Sequence, residues 1–68
     1  MKTYISNDNF YTQGRIGDRE ITTGVVKGLE FKTIDENEEI VYLKNVQTGT
    51  IILITKAMLF SPLFVEGK

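Results

Sequence analysis

The stretch LEFKTIDENEEIVYLK, residues 29–44, decides the fold of this chain. Its first half alternates apolar and charged residues, and the same alternation returns after an acidic turn at residues 35–37. A period of two is typical of strands that each bury one face, here joined as an antiparallel hairpin. The side chains predicted to point inward are Leu29, Phe31, Thr33, Val41 and Leu43.

Downstream of the hairpin, a second turn at residues 47–49 predicts another strand over residues 50–55. The glycine that ends this turn can supply the positive φ that such turns often need. Residues 55–58 are long enough for one helical turn. Residues 59–65 predict a final strand, and Pro62 within it predicts an edge or bulged strand, because proline cannot donate to a ladder.

Upstream of the hairpin, residues 20–26 are rich in β-branched side chains and predict a further strand. Gly24 within it predicts a bulge or bend. Residues 3–5 and 10–12 predict short N-terminal strands, and residues 14–17, with a glycine at each end, predict a turn.

Five or six short strands with one short helical turn before the last strand predict an all-β fold. We expect residues 1–68 to form a single domain, a small SH3-like barrel. A flat sheet would leave its second face uncovered, whereas a barrel needs only an apolar inward face.

The stretch from Ile21 to Val65 resembles the Sm-like fold, in particular the bacterial host-factor Q RNA chaperone. Residues 24–26 resemble the glycine–hydrophobic step of the family's first motif, and residues 40–45 resemble the strand that ends it, including the final LKN. Residues 53–60 resemble the strand, short turn and strand that close the barrel. The resemblance implies an RNA-binding oligomer. The family's N-terminal helix, its basic rim and the tyrosine and histidine of its uridine-binding face have no match here.

The chain has no cysteine and no histidine. This excludes disulfides and thiolate metal sites, and it removes the commonest zinc ligand and the usual general base. Without a nucleophile–base pair we expect no enzyme, no cofactor, no metal and no small-molecule substrate. The acidic run at residues 35–39 lacks the glycine and terminal glutamate of a calcium loop, and we interpret it as a solvated turn.

A net charge of -1 and a pI near 5.3 give no general attraction to nucleic acid or to an anionic membrane. Residues 1–8 contain no apolar core of a signal peptide, and the apolar run 51–54 is far shorter than a membrane span. We therefore expect a cytoplasmic protein without membrane association. The bias toward Lys, Ile, Asn and Thr suits an AT-rich bacterial or phage genome, so we expect the bacterial cytoplasm, or the host's cytoplasm if the protein is phage-encoded.

An excess of apolar residues marks the end of the chain. Residues 51–54 and 59–65 carry apolar side chains on both strand faces. A small barrel has one core, so we expect either that tight coiling and the N-terminal segment cover the surplus, or that it forms a self-association or partner surface. Two arginines on either side of residues 17–18, Arg15 and Arg19, add guanidinium groups for such a contact. The candidate partner-binding residues are Phe60, Phe64, Ile52, Ile54, Arg15 and Arg19.

These observations favour a non-enzymatic protein-binding module, acting as a small regulator or inhibitor of a host protein in bacteria or phage. The first alternative is an Sm-like oligomer that binds RNA, and the second is a structural component of a larger assembly. Binding of nucleic acid is not favoured. It requires one face to gather the lysines, which are Lys27, Lys32, Lys44 and Lys56.

Overall fold

A computed structural model describes residues 2–67 as seven β-strands and one short helix. Every paired strand runs antiparallel to its neighbour. The elements are β1 (Thr3–Ser6), β2 (Phe10–Ile16), β3 (Arg19–Val25), β4 (Glu30–Glu36), β5 (Ile40–Asn45), β6 (Ile51–Thr55), α1 (Lys56–Leu59) and β7 (Phe64–Glu66).

The strands form one sheet in the order β3-β2-β6-β5-β4-β1-β7. The predicted mostly antiparallel β fold is confirmed, with seven strands instead of five or six. Within residues 2–67 the sheet is not closed, because no ladder joins β3 to β7.

The sheet curls until its two ends approach each other at one side. Phe10 lies on β2 and Phe64 on β7, and their ring centroids are 5.5 Å apart at an angle of 77°. The Ser6 hydroxyl of β1 donates to the Val26 carbonyl, just beyond β3, at 2.6 Å. Since β2 and β7 lie near opposite ends of the strand order, these contacts require strong curvature.

The concave face of the sheet holds the core. Side chains that alternate along each strand point into it, as the period of two predicts. Burial on this face is the main favourable contribution to stability, at about 1.5–3 kcal/mol for each large apolar side chain. The buried apolar residues are Tyr4, Val25, Phe31, Val41, Leu43, Ile52, Ile54, Leu59 and Phe64.

Two polar side chains are buried with the core, and both have hydrogen-bond partners. The Ser6 hydroxyl donates to the Val26 carbonyl and accepts from the Leu29 amide at 2.9 Å. The Asn45 side-chain oxygen accepts from the amides of Gln47 at 2.8 Å and of the next residue at 3.2 Å. These bonds replace the water that the polar groups lose on burial.

The hairpin of β2 and β3 turns later than predicted. Residues 14–17 were expected to form the turn, but β2 continues through Gly14 to Ile16 and only two residues connect the strands. Gly17 has φ 60, and Asp18 has a negative φ. Glycine with positive φ at the first central position is typical of a type II′ hairpin turn.

The predicted bulge at Gly24 is wrong. The β2–β3 register runs without a shift, and Gly24 lies opposite Tyr11. A Cβ at Gly24 would lie 3.4 Å from the Tyr11 ring, so the glycine leaves room for the ring across the strand. The register shifts instead between Thr33 and Asp35 on β4, which leaves Ile34 as the extra residue.

The predicted helical turn is confirmed as α1. The hydroxyl of Thr55 caps its first turn by accepting from the Met58 amide at 3.1 Å. The predicted final strand over residues 59–65 is wrong at its start, because Leu59 belongs to α1 and β7 begins at Phe64. Its predicted edge position is confirmed, although Pro62 precedes the strand instead of lying in it.

Candidate functional site

Three of the candidate partner-binding residues lie in the core. Ile52 and Ile54 are each 1% exposed, and Phe64 is 6% exposed. The curl of the sheet turns these side chains inward, where they belong to the hydrophobic core. In the single chain these three side chains are thus covered by the fold itself, which is the first of the two alternatives for the apolar excess.

The other three candidates lie at the surface, in separate places. Phe60 is 75% exposed at the end of α1. Arg15 and Arg19 occupy adjacent positions of the β2–β3 hairpin register, so they belong to opposite faces of the sheet. Arg15 lies within 4.0 Å of the Glu20 carboxylate. The two guanidinium groups therefore do not form a shared site.

Phe60 borders a pocket of about 600 Å³ beside α1. Its apolar lining comes from Tyr4 of β1, Val41 of β5 and Leu59 of α1, which are all buried core residues. Phe60 itself stands at the border with most of its ring in water. The pocket is thus a continuation of the core that opens to solvent where α1 ends.

The bulge in β4 forms another part of this pocket. Thr33 pairs with Leu43 and Asp35 pairs with Tyr42, so Ile34 has no partner on β5. Ile34 is 42% exposed and lines the pocket. The bulge therefore places an apolar side chain at the border of the pocket, next to the charged Asp35 and Glu36.

Charged groups of both signs surround the apolar part. The Lys56 ammonium lies 3.3 Å from the Glu36 carboxylate, and Asp35 lies beside them in the lining. Lys2, which also lines the pocket, lies 3.9 Å from Glu66. These pairs are exposed, so each contributes little to stability and can exchange partners readily.

A second feature lies on the convex face of the sheet. The register places Arg15 beside Ile51, Ile51 beside Lys44, and Lys44 directly opposite Lys32. Adjacent strands lie about 4.8 Å apart, so this row crosses four strands over about 14 Å. Like charges directly opposite each other destabilise a sheet. Within residues 2–67, neither of the two lysines has a carboxylate within ion-pair distance.

An aromatic and apolar row runs alongside the basic one. Tyr42 is two residues from Lys44 on β5, and Leu53 is its neighbour on β6. Both are half-buried on the convex face. Of the four lysines that RNA binding would have to gather on one face, Lys32 and Lys44 are neighbours on the convex face. Lys56 lies elsewhere, in the lining of the pocket. The gathering of lysines that RNA binding requires is therefore partial.

The acidic run of the β4–β5 hairpin forms an exposed turn. The Asn37 side-chain oxygen accepts from the amides of Glu39 and Ile40 at 2.9 and 2.8 Å. Within residues 2–67 the structure brings no three acidic side chains together as a cation site would. Among residues 2–67, no helix is long and apolar enough to cross a membrane.

Sequence reasoning did not find the pocket. Phe60 was identified, but as a strand residue, and Ile34 was not a candidate. The available signal was the apolar Ile34 at a position where the alternation of residues 29–33 places charged side chains. An apolar residue out of phase with its strand indicates either a bulge or an exposed contact.

No protein-family model, curated protein or solved structure shows a significant match to this chain.

Proposed function

We propose that the chain is a non-enzymatic protein-binding module whose pocket beside α1 receives a large apolar side chain of a partner protein. The observation that carries this proposal is Phe60, a phenylalanine 75% exposed at the border of an apolar pocket. Residues that anchor protein interfaces are often aromatic side chains at a pocket, where the partner excludes water on binding. The expected role as a small regulator or inhibitor of a host protein needs such a partner and is part of the proposal.

The shape of the pocket favours a protein over a small molecule. Small-molecule sites enclose most of their ligand. Here the pocket is open, and at its border Ile34 is 42% and Phe60 75% exposed to water. Such a border provides additional contact area to a partner that covers it. The mixed charges of Lys2, Lys56 and Glu36 suit the polar rim of an interface, where residues of either sign on the partner find a counter-charge.

The finer fold assignment belongs to the same proposal. An SH3-like barrel, the Sm-like type included, is supported by the strongly curled antiparallel sheet and by α1 placed before the last strand. In folds of this kind the loops and helical turns between strands often carry the binding residues, and this pocket lies beside α1.

The test begins with photo-crosslinking in cells that produce the protein. Benzoylphenylalanine at position 60 is expected to capture a partner that the same probe at Tyr11, an exposed aromatic on another part of the sheet, does not capture. The identified partner is then purified and titrated by calorimetry. Phe60→Asp should weaken its affinity about tenfold or more, the effect of losing an anchor contact.

Val26→Asp is the matched control, because Val26 is also exposed and lies beyond β3, away from the pocket. It should leave the affinity within about twofold. Absence of a captured partner at position 60, or equal affinities of Phe60→Asp and the wild type for the purified partner, would contradict the proposal.

A second candidate function is weak binding of single-stranded nucleic acid to the convex face. The observation that favours it is the opposed Lys32–Lys44 pair, which has no acidic counter-charge within residues 2–67 and lies in line with Arg15. Phosphates would remove the repulsion, and Tyr42 beside the row offers a ring on which a base can stack. A net charge of -1 limits the number of phosphates bound, so the affinity should be low and sensitive to salt.

Fluorescence anisotropy with labelled RNA and DNA oligonucleotides at several salt concentrations tests this function. Each phosphate contact contributes about -0.7 to the slope of log affinity against log salt, so Lys44→Gln should reduce the slope by about that amount. Lys27→Gln, an exposed lysine outside the row, should not change it. No binding at low salt, or equal slopes for both variants, would remove this candidate.

A further inference from the structure

Strand β3 is an unpaired edge of the sheet. It is the first strand in the sheet order and pairs only with β2. It extends over seven residues, Arg19–Val25, without proline or bulge, and its two charged residues, Arg19 and Glu20, both lie at the end next to the hairpin turn. By contrast β7, at the other edge, has three residues and follows directly on a turn that contains Pro62. Proteins usually protect edges by shortening, charge or proline, and β3 from Ile21 to Val25 has neither charge nor proline, so it is the edge open to pairing.

The register identifies which backbone groups of β3 are free. In a two-residue hairpin the residues flanking the turn, Ile16 and Arg19, form a hydrogen-bonded pair. Hydrogen-bonded and non-hydrogen-bonded pairs then alternate along the ladder. Glu20, Thr22 and Gly24 therefore direct their amides and carbonyls away from β2.

These free groups meet no other part of the chain. Within residues 2–67, none of the three residues takes part in a hydrogen bond outside the β2–β3 ladder. All three are exposed. The edge thus presents a row of unpaired donors and acceptors to solvent.

We propose that two copies of the chain associate by antiparallel pairing of their β3 strands about a two-fold axis at Thr22. In this register Thr22 faces Thr22 of the partner subunit, and Glu20 faces Gly24 of the partner subunit. Because free residues face free residues at each of these positions, every unpaired amide and carbonyl of the edge gains a partner. The two sheets join into one continuous sheet.

The same register explains why the occupant is a second copy. A shift of the pairing in either direction leaves free groups at the end of the strand without a partner. A shift that centres the axis on Glu20 also opposes two carboxylates, which is destabilising. The symmetric register at Thr22 satisfies the edge and opposes no like charges, as an isologous interface requires. This association is independent of the pocket beside α1.

Sedimentation velocity over a range from micromolar to millimolar protein tests the proposal. The wild type is expected to show a reversible monomer–dimer equilibrium. Thr22→Lys places two ammonium groups opposite each other at the axis, so it should shift the dissociation constant upward by at least about tenfold, and added salt should partly reverse the shift. A monomeric wild type at millimolar concentration would overturn the proposal.

Gln13→Lys is the matched control. Gln13 is exposed, lies on the same face and pairs directly with Thr22, but it sits on β2, one strand away from the edge. It adds the same charge and should leave the dimer largely intact. If both lysine variants weaken association equally, the axis does not lie at Thr22 and the proposal fails.

A charge-complementation experiment tests the register directly. Thr22→Lys and Thr22→Asp should each dimerise more weakly than the wild type, and an equimolar mixture should form a heterodimer tighter than either homodimer. Circular dichroism checks that each variant is folded, so the result can be interpreted even if one variant is less stable than the wild type. Absence of the heterodimer from two folded variants would overturn the proposed pairing.

Discussion

Phe64 and Phe60 are close in sequence, but the structure predicts opposite consequences of truncating them. Phe64 packs edge-on against Phe10 and Phe31, at centroid distances of 5.5 and 6.2 Å, and is 6% exposed. Removing a buried phenylalanine side chain costs about 3–5 kcal/mol. A domain of 68 residues has a total stability of about 3–10 kcal/mol. Phe64→Ala should therefore remove from about a third to all of that stability.

Phe60→Ala should cost less than about 1 kcal/mol, because three quarters of Phe60 is already in water and the change leaves its backbone cap of α1 in place. Urea denaturation followed by circular dichroism measures both variants, and the product of the midpoint and the slope m gives each free energy of unfolding. If both variants lose stability equally, or if Phe64→Ala costs less than about 1 kcal/mol, the assignment of core and surface is wrong.

Three further changes test the local structure, each measured by urea denaturation. Gly14→Ala should cost about 1–3 kcal/mol, since its Cβ would lie 2.8 Å from Thr23 Cγ2, and Thr23→Ser in the same chain should recover part of the loss. Ser6→Ala should cost about 1–3 kcal/mol, because the Leu29 amide loses its acceptor. Thr55→Ala should cost about 0.5–2 kcal/mol through loss of the α1 cap, and Thr55→Ser should be nearly neutral. A neutral result in any of the three would contradict the contact concerned.

The hairpin of β4 and β5 could be predicted because its sequence and its environment agree. Val41 and Leu43 are buried while Tyr42 and Lys44 are half-buried, as the alternation requires. Gly49 has φ 79, in agreement with the predicted turn. In these segments the local pattern determines the structure, since each strand has one face on the core.

The position of the apolar excess could not be predicted in the same way. Ile52 and Leu53 are both apolar, but Ile52 is buried and Leu53 is half-buried on the convex face. The assignment depends on how far the sheet curls, which brings Phe64 onto Phe10 across the whole sheet. Curvature arises from contacts between residues far apart in sequence, so alternation within one strand does not encode it.

The pocket and the β3 edge lie in different parts of the sheet, and this has a consequence for binding. The lining of the pocket comes from β1, β4, β5 and α1 and includes no residue of β2 or β3. Pairing through β3 would therefore leave Phe60 free in both copies and present two pockets on one particle. Two linked sites bind an immobilised or oligomeric partner more tightly than either site alone, without any new contact.

Thr22→Lys should then weaken binding to such a partner while leaving the affinity for a monomeric partner unchanged, whereas Phe60→Asp should weaken both. Surface plasmon resonance with the partner immobilised, compared with calorimetry in solution, separates the two effects. Equal losses in both formats for Thr22→Lys would mean that β3 contacts the partner directly instead of joining two copies.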